Sequence, residues 1–242
     1  GSGSESDLRG LFDDVDVNST KLGNTVAQRN AKLVKIMDAI GDLPLEHGAA
    51  QIDAFGDAYE YLMTMYASSA GKSGGEFYTP RSVVNLLVEM LQPFSGRVYD
   101  PCCGSGGMFV QSARFVEAHG GSRDALSIYG QEKAASTWRL AKMNLALRGI
   151  EADLGPRDAE TFTEDQHPDL RADFILANPP FNLKGYWSAV LEDDPRWVYG
   201  TPNASNANYA WIQHFLYHLA PSGTAGFVMA NGALSSKAKT DG

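Results

Sequence analysis

The sequence has few cysteines, no long apolar run and no surplus of positive charge, and each shortage narrows what the chain can be. Its two cysteines, Cys102 and Cys103, are adjacent, so they cannot staple distant segments and cannot make a four-ligand metal site. A reducing, cytoplasmic setting is expected. No apolar run approaches the roughly 18 residues that a membrane-spanning helix needs, and Gly1–Ser6 is polar rather than a charged lead into an apolar segment, so neither membrane contact nor secretion is expected. The five histidines show no ligand spacing. His214 and His218 are four apart but lack the neighbouring Glu of a metalloprotease helix, so no metal is expected and a surface or core role is favoured. A chain that bound nucleic acid unaided would carry basic residues in excess to neutralise phosphates. This one has 20 basic and 29 acidic residues, a net charge of -9. The deficit is uneven, since residues 1–66 hold 5 basic and 11 acidic residues and leave 15 and 18 for the rest. The leading part is a poor DNA binder and better suited to docking a protein, while the nearly balanced remainder has room for a local basic surface.

What is present is a globular composition, 43% hydrophobic over 242 residues, enough for a sizeable core. The leading part reads as two amphipathic helices. Val26, Leu33, Ile36, Met37 and Ile40 mark the first, and Ile52, Phe55, Tyr59, Leu62, Met63 and Tyr66 the second, at three- and four-residue spacing. Ser68 to Gly75 has the composition of a linker. Residues 1–70 are thus expected to be the end of a helical domain and 71–242 a second domain in which strands and helices alternate. A helix from Thr79-Pro80 to Leu91 is predicted, with Thr79 as its N-cap. Strands are predicted at Arg97–Asp100, Ser127–Gln131, Ala152–Leu154, Asp173–Ala177 and Ala225–Ala230. Helices are predicted at Met108–His119, Ala134–Arg148 and Tyr209–Leu219. That alternation implies an α/β fold, a mostly parallel sheet with helices on both faces. Residues 182–207 have no periodicity yet contain Tyr186, Trp187, Trp197 and Tyr199, which points to a functional loop rather than plain disorder.

Two motifs carry chemistry. Asn178-Pro179-Pro180-Phe181 ends the apolar run Phe174–Ala177, and its prolines must terminate a strand because neither can donate to a ladder. An amide and an aromatic ring are therefore held at a strand's carboxyl end, where open α/β sheets bind ligands. Val98 to Met108 reads as strand, acid, glycine turn and helix start, with Asp100, Pro101, Gly104, Ser105, Gly106 and Gly107 at the turn. The spacing is not the dinucleotide fingerprint, since position 109 is Phe, and no Lys-Ser/Thr pair follows for a phosphate loop. An acid ahead of the glycines suits a cation such as an amino acid's ammonium. Glu132 at the next strand end is placed for ribose hydroxyls, and Asp158 after the third strand for an adenine amino group. Acid, glycine turn, acid, acid on successive strand ends describe a nucleoside bearing an amino acid, which is the structure of S-adenosylmethionine.

These residues resemble a known family. Asp100-Pro101-x-x-Gly104-Ser105-Gly106-Gly107 followed by Asn178-Pro179-Pro180-Phe181 looks like a DNA adenine-N6 methyltransferase. Glu76-Phe77-Tyr78-Thr79-Pro80-Arg81 looks like that family's segment over the methionine part of S-adenosylmethionine. Asn18-Ser19-Thr20-Lys21-Leu22-Gly23, Gly56-Asp57-Ala58-Tyr59-Glu60-Tyr61-Leu62 and Gly232-Ala233-Leu234 are similar to the modification (methylase) subunit of type I restriction-modification systems. The resemblance implies a Rossmann-like methyltransferase sheet preceded by a partial helical segment. It also implies DNA engaged through a specificity subunit, a second modification subunit and a restriction (translocase/nuclease) subunit as partners. Members are longer at both ends, so residues 71–242 are expected to be a catalytic core that stops after its fifth strand.

The resemblance further implies a mechanism. The Asn178 side-chain oxygen and the Pro179 carbonyl accept the hydrogens of a flipped adenine's amino group, localising its lone pair, and Phe181 stacks on the ring. Without the resemblance, Thr79 and Tyr78 read equally well as a helix cap and a packed aromatic, and Cys102 and Cys103 as small fillers of a tight turn. Trp187 and Trp197 fit either a base pocket or loop packing. Two other functions remain open: methylation of a glutamine side-chain amide in a protein, and a cofactor-binding but catalytically silent docking module.

Overall fold

The computed structural model describes residues 16–42 and 79–233. The second predicted helix, the linker and Glu76, Phe77 and Tyr78 lie outside the described residues. The first predicted helix is α1 (Val26–Gly41), a single regular helix. The alternating region begins with α2 (Arg81–Leu91), β1 (Gly96–Asp100), α3 (Gly107–Ala118), β2 (Leu126–Gly130) and α4 (Ala135–Leu147). It continues with β3 (Ala152–Asp153), β4 (Ala172–Ala177), α5 (Asn208–His218) and β5 (Leu219–Phe227). The five strands form one sheet in the order β3-β2-β1-β4-β5, with every pairing parallel.

Parallel strands are covered on both faces, and alternation of side chains along each strand splits the core in two. Val98 of β1 and Leu176 of β4 join Val84, Val88, Phe109, Val110 and Leu145 in the core under α2, α3 and α4. Their strand neighbours Tyr99, Ile175 and Ala177 face the other way, into a core with Phe162, Tyr186, Trp197, Trp211 and Phe215. On α2 the buried residues are Val84, Leu87 and Val88, the spacing of one helical face. This face lies close on β5: a Cβ at Gly226 would sit 2.5 Å from Leu91 Cδ1. The helix ends at Gln92 in the left-handed region (φ 52), whose N–H donates to the Val88 carbonyl just before Pro93.

Two expectations are corrected here. Thr79 does not cap α2: Pro80 occupies the cap position and no side chain donates or accepts there. The Thr79 hydroxyl is engaged 99 positions away instead, as described below. The last strand starts at Leu219 rather than Ala225, running directly on from α5. Leu219 pairs with Ala172, and after an irregularity the ladder resumes at Phe174 and Thr224. Pro221 and Gly223 read locally as a turn, but pairing with β4 absorbs them into the strand.

The loop from 182 to 207 is packed. Tyr186, Leu191 and Trp197 are buried in the second core. Trp197 donates its indole N–H to the Leu191 carbonyl (2.6 Å), so it packs the loop, while Trp187 lies edge-on to Tyr186. Arg196, 5% exposed, is the anchor. Its Nε and Nη2 bind both oxygens of Asp194 (2.8 and 2.6 Å) and its Nη1 donates to Thr161 O (3.1 Å) and His214 Nδ1 (3.0 Å). A second Nη2 bond goes to Phe162 O, so all five guanidinium donors are used. Because Arg196 can only donate, His214 Nδ1 must accept, which makes His214 neutral and its Nε2–H a donor to Tyr99 Oη (3.1 Å). Burial and the neighbouring His218 and Arg196 charges push its pKa down in the same sense. His218 is fully buried too, with Nδ1 against Leu170 O and Nε2 against Asp165 Oδ2 (2.8 Å). Asp165, His214 and His218 come within 4.8 Å of one another, yet every imidazole nitrogen is already hydrogen-bonded within the protein.

Candidate functional site

The strand order reverses direction between β1 and β4, and at such a switch point the connecting loops part to leave a crevice at the carboxyl edge of the sheet. A cavity of about 210 Å³ fills it. Asp100, Pro101, Gly104, Ser105 and Gly107 line it from the end of β1, Glu132 from β2, and Asn178 and Pro180 from β4. Thr79 and Arg81 reach it from the start of α2. Pro80, Gly106, Pro179 and Phe181 flank the cavity without lining it. Asp158 stays outside its lining, and Glu160 and Thr161 face the cavity from the same loop instead.

The backbone of the glycine turn requires its residues. Gly104 (φ 55) and Gly106 (φ 81) are left-handed, and the turn closes with Gly106 N–H on the Cys103 carbonyl (2.8 Å). The turn is laced to the next strand end: Gln131 N–H donates to Asp100 O and Cys103 N–H to Gln131 O. Glu132 then spans both, accepting from Gly104 N–H (3.1 Å) and Ala134 N–H (2.8 Å). Asn144 of α4 donates to Ser105 O (2.7 Å), holding the far side of the turn.

Four residues that fix the site's walls escaped sequence reasoning, Asn144 and three others. Gln131, fully buried, donates to Ala159 O and Glu164 O and accepts from Gln166 N–H. It thereby sets the course of the loop after β3. Thr161 donates to Pro101 O (2.6 Å), tying that loop to the glycine turn. Arg196 holds the Thr161 carbonyl from behind. For Asn144 a signal existed, a polar residue on the helix face shared with Ala141 and Leu145. For Gln131 there was none, because its partners are 28 to 35 positions away, and for Arg196 only Asp194 is local, its other partners lying 18 to 35 positions away.

The cavity is electrostatically suited to a cation. Asp100 is 2% exposed, and burial lifts its carboxyl to about 7 against the pull of the Cys102 N–H (3.0 Å). Burial also raises Glu132, opposed by the Ala134 and Gly104 N–H groups. The thiols of Cys102 and Cys103 are pushed well up by burial and by both carboxylates, which leaves them inert fillers.

At the β4 end, Asn178 Nδ2 donates to Thr79 Oγ1 (3.0 Å), while Asn178 Oδ1 is buried with no hydrogen-bond partner. An unmet buried acceptor costs about 1–3 kcal/mol. Phe181 is 49% exposed, so it is not a core residue. The turn behind it is rigid: Asn182 (φ 53) exchanges bonds of 3.0 and 2.9 Å with the Asn208 side chain at the start of α5. Gly232 and Ala233 line a second, polar cavity of about 240 Å³ with Asn182 and Asn208. Among the described residues no helix is long and apolar enough to cross a membrane.

The family model described as N-6 DNA methylase matches residues 50–241. The type I restriction enzyme HindI methylase subunit of Haemophilus influenzae is 52% identical over 199 residues, 82% of this chain and 44% of that protein. The MjaIX methylase subunit of Methanocaldococcus jannaschii is 47% identical over 76% of this chain and 34% of its own length. The crystal structure of a type I restriction-modification methyltransferase subunit from Streptococcus thermophilus superposes with a TM-score of 0.80 at 30% identity. That match covers 98% of this chain and 51% of the other. The chain thus spans about half, or less, of the length of these relatives.

Proposed function

Because the chain belongs to the N-6 DNA methylase family, we propose that it carries the catalytic core of a DNA adenine-N6 methyltransferase, the modification subunit of a type I restriction-modification complex. The relatives named above are methylase subunits of such enzymes. The observation that carries the reading is the buried Asn178 oxygen, an acceptor with no partner at a strand end beside an acid-lined cavity.

The residues fit S-adenosylmethionine. When bound, that cofactor supplies an electrophilic methyl on a sulfonium. Asp100 and Glu132 give the cavity the negative potential that a sulfonium and an ammonium require, Asp100 holding the ammonium and Glu132 the ribose hydroxyls. Thr79 and Arg81 close the methionine end, and Glu160 and Thr161 wall the adenine end. Glu76, Phe77 and Tyr78 complete the covering segment by resemblance to the family, and Asp158 acts from outside the lining.

An adenine amino nitrogen is a poor nucleophile because its lone pair is delocalised into the ring, and inside a duplex it is out of reach. The base must leave the stack. Asn178 Oδ1 and the Pro179 carbonyl accept the two amino hydrogens, which draws the nitrogen toward tetrahedral geometry and localises the lone pair. Pro180 keeps the segment rigid, and Phe181 offers its exposed face to the base. No strong base is needed, since the proton leaves after the nitrogen has become cationic. The acidic balance of the chain fits DNA reading by a partner subunit, with further modification and restriction subunits completing the complex.

The test is Asn178→Ala in the complete modification subunit, assayed with labelled cofactor and duplex DNA. Loss of an oriented polar group aimed at developing charge should slow transfer at least about a hundredfold, with cofactor affinity nearly unchanged. Label arriving on a protein glutamine instead of DNA would overturn the substrate assignment, and normal cofactor binding without any transfer by the wild type would favour a docking role.

A further inference from the structure

A side-chain amide has two ends of nearly equal size and opposite chemistry. One accepts and the other donates. For Asn178 to receive an amino hydrogen, the oxygen must face the base. Turned by half a rotation about its last bond, the same residue presents N–H groups to N–H groups. Nothing in the Asn-Pro-Pro-Phe motif itself sets this choice, because the prolines restrict the backbone and not the amide.

A residue from another element holds the amide in place. Thr79, just ahead of α2, places its Oγ1 3.0 Å from Asn178 Nδ2 and accepts from it. That bond occupies the donor end and leaves Oδ1 as the free, buried acceptor. Thr79 caps nothing on its own helix, so its hydroxyl is available for the task. We propose that Thr79 is a positioning residue whose hydroxyl anchors the Asn178 amide by its Nδ2 end, so that the side chain is held in place for the target amino group. This rests on the function proposed above, and it adds to the role of Thr79 in lining the cofactor cavity. The segment that covers the cofactor thereby also sets the catalytic amide.

The experiment is single-turnover methyl transfer at saturating cofactor in the complete subunit, comparing Thr79→Val, which keeps the shape and loses the hydroxyl, with Thr79→Ser, which keeps the hydroxyl. A neutral hydrogen bond of ordinary strength predicts a loss of about two- to tenfold for Thr79→Val, and a rate near wild type for Thr79→Ser. Cofactor affinity, measured separately by calorimetry, should move less than the rate. If Thr79→Val weakens cofactor binding but leaves the saturated rate unchanged, or if Thr79→Ser loses as much as Thr79→Val, the positioning role is overturned. Full activity of Asn178→Ala would instead overturn the underlying function, so the two failures are distinguishable.

Discussion

Asp100→Asn separates the two demands placed on that residue, binding a cation and surviving burial without one. The variant keeps the shape and the acceptor for the Cys102 N–H but cannot ionise. In the ligand-free chain the folded carboxyl titrates at about 7, raised from 3.8 by burial. The folded state therefore retains a proton that the unfolded chain has released. Stability from that proton is fully present below the unfolded value, declines as pH rises, and is gone above about 7. At about 1.4 kcal/mol for each pH unit, the span from 3.8 to about 7 corresponds to a ceiling of about 4 kcal/mol. Ligand-free Asp100→Asn is thus expected to match the wild type near pH 4 and to exceed its stability increasingly up to pH 7, with a plateau beyond. Adding S-adenosylmethionine stabilises the wild type more than the variant, because only the carboxylate pairs with the ammonium. Melting temperatures of both proteins, taken from pH 4 to pH 8 with and without cofactor, provide the measurement. A pH-independent difference, or an equal cofactor-induced rise in the two proteins, would refute the reasoning.

Three further perturbations address other parts of the site. Phe181→Ala should leave stability within about 0.5 kcal/mol, since the ring is 49% exposed, yet lose about 1–3 kcal/mol of base stacking. Fluorescence of a 2-aminopurine at the target position reports the second effect, and a large fall in melting temperature would mean the ring is structural after all. Arg196→Met leaves Asp194, two carbonyls and His214 without their donor, and breaking a buried pair in this way costs about 3–5 kcal/mol. Arg196→Lys has only three donors and should be nearly as harmful; a chemical denaturation midpoint equal to the wild type would contradict the five-bond anchor. DNA binding by this chain alone should be weak, as its net charge of -9 implies. Nanomolar affinity at physiological salt, by fluorescence anisotropy, would overturn that view.

Strand ends were the most legible part of the sequence, because the residues that stop a strand are local. Asp100 before the glycine turn and Asn178 before two prolines each fall one step beyond an apolar run, and the parallel sheet brings both to one edge. Helix α2 and strand β5 were less legible for the opposite reason. The free energy that sets their ends comes from partners distant in the chain: Asn178 for Thr79, and β4 for Leu219 to Gly223. Asp158 was placed by position alone, and nothing in the sequence signalled that Glu160 and Thr161 of the same loop, whose course Gln131 sets, line the cavity.

By itself the sequence determined the alternating α/β architecture, the acid and glycine turn, and the amide at the end of β4. Periodicity, proline and glycine act within a few residues and need no knowledge of what packs where. Only the tertiary structure decided that the aromatic loop is packed rather than open, through one arginine that spends two donors on Asp194 of its own loop and three on other segments. It also decided which end of the Asn178 amide is left free. Hydrogen bonds and burial between segments remote in sequence have no local signature, so a motif names the catalytic residue, and the fold alone determines which of its atoms can act.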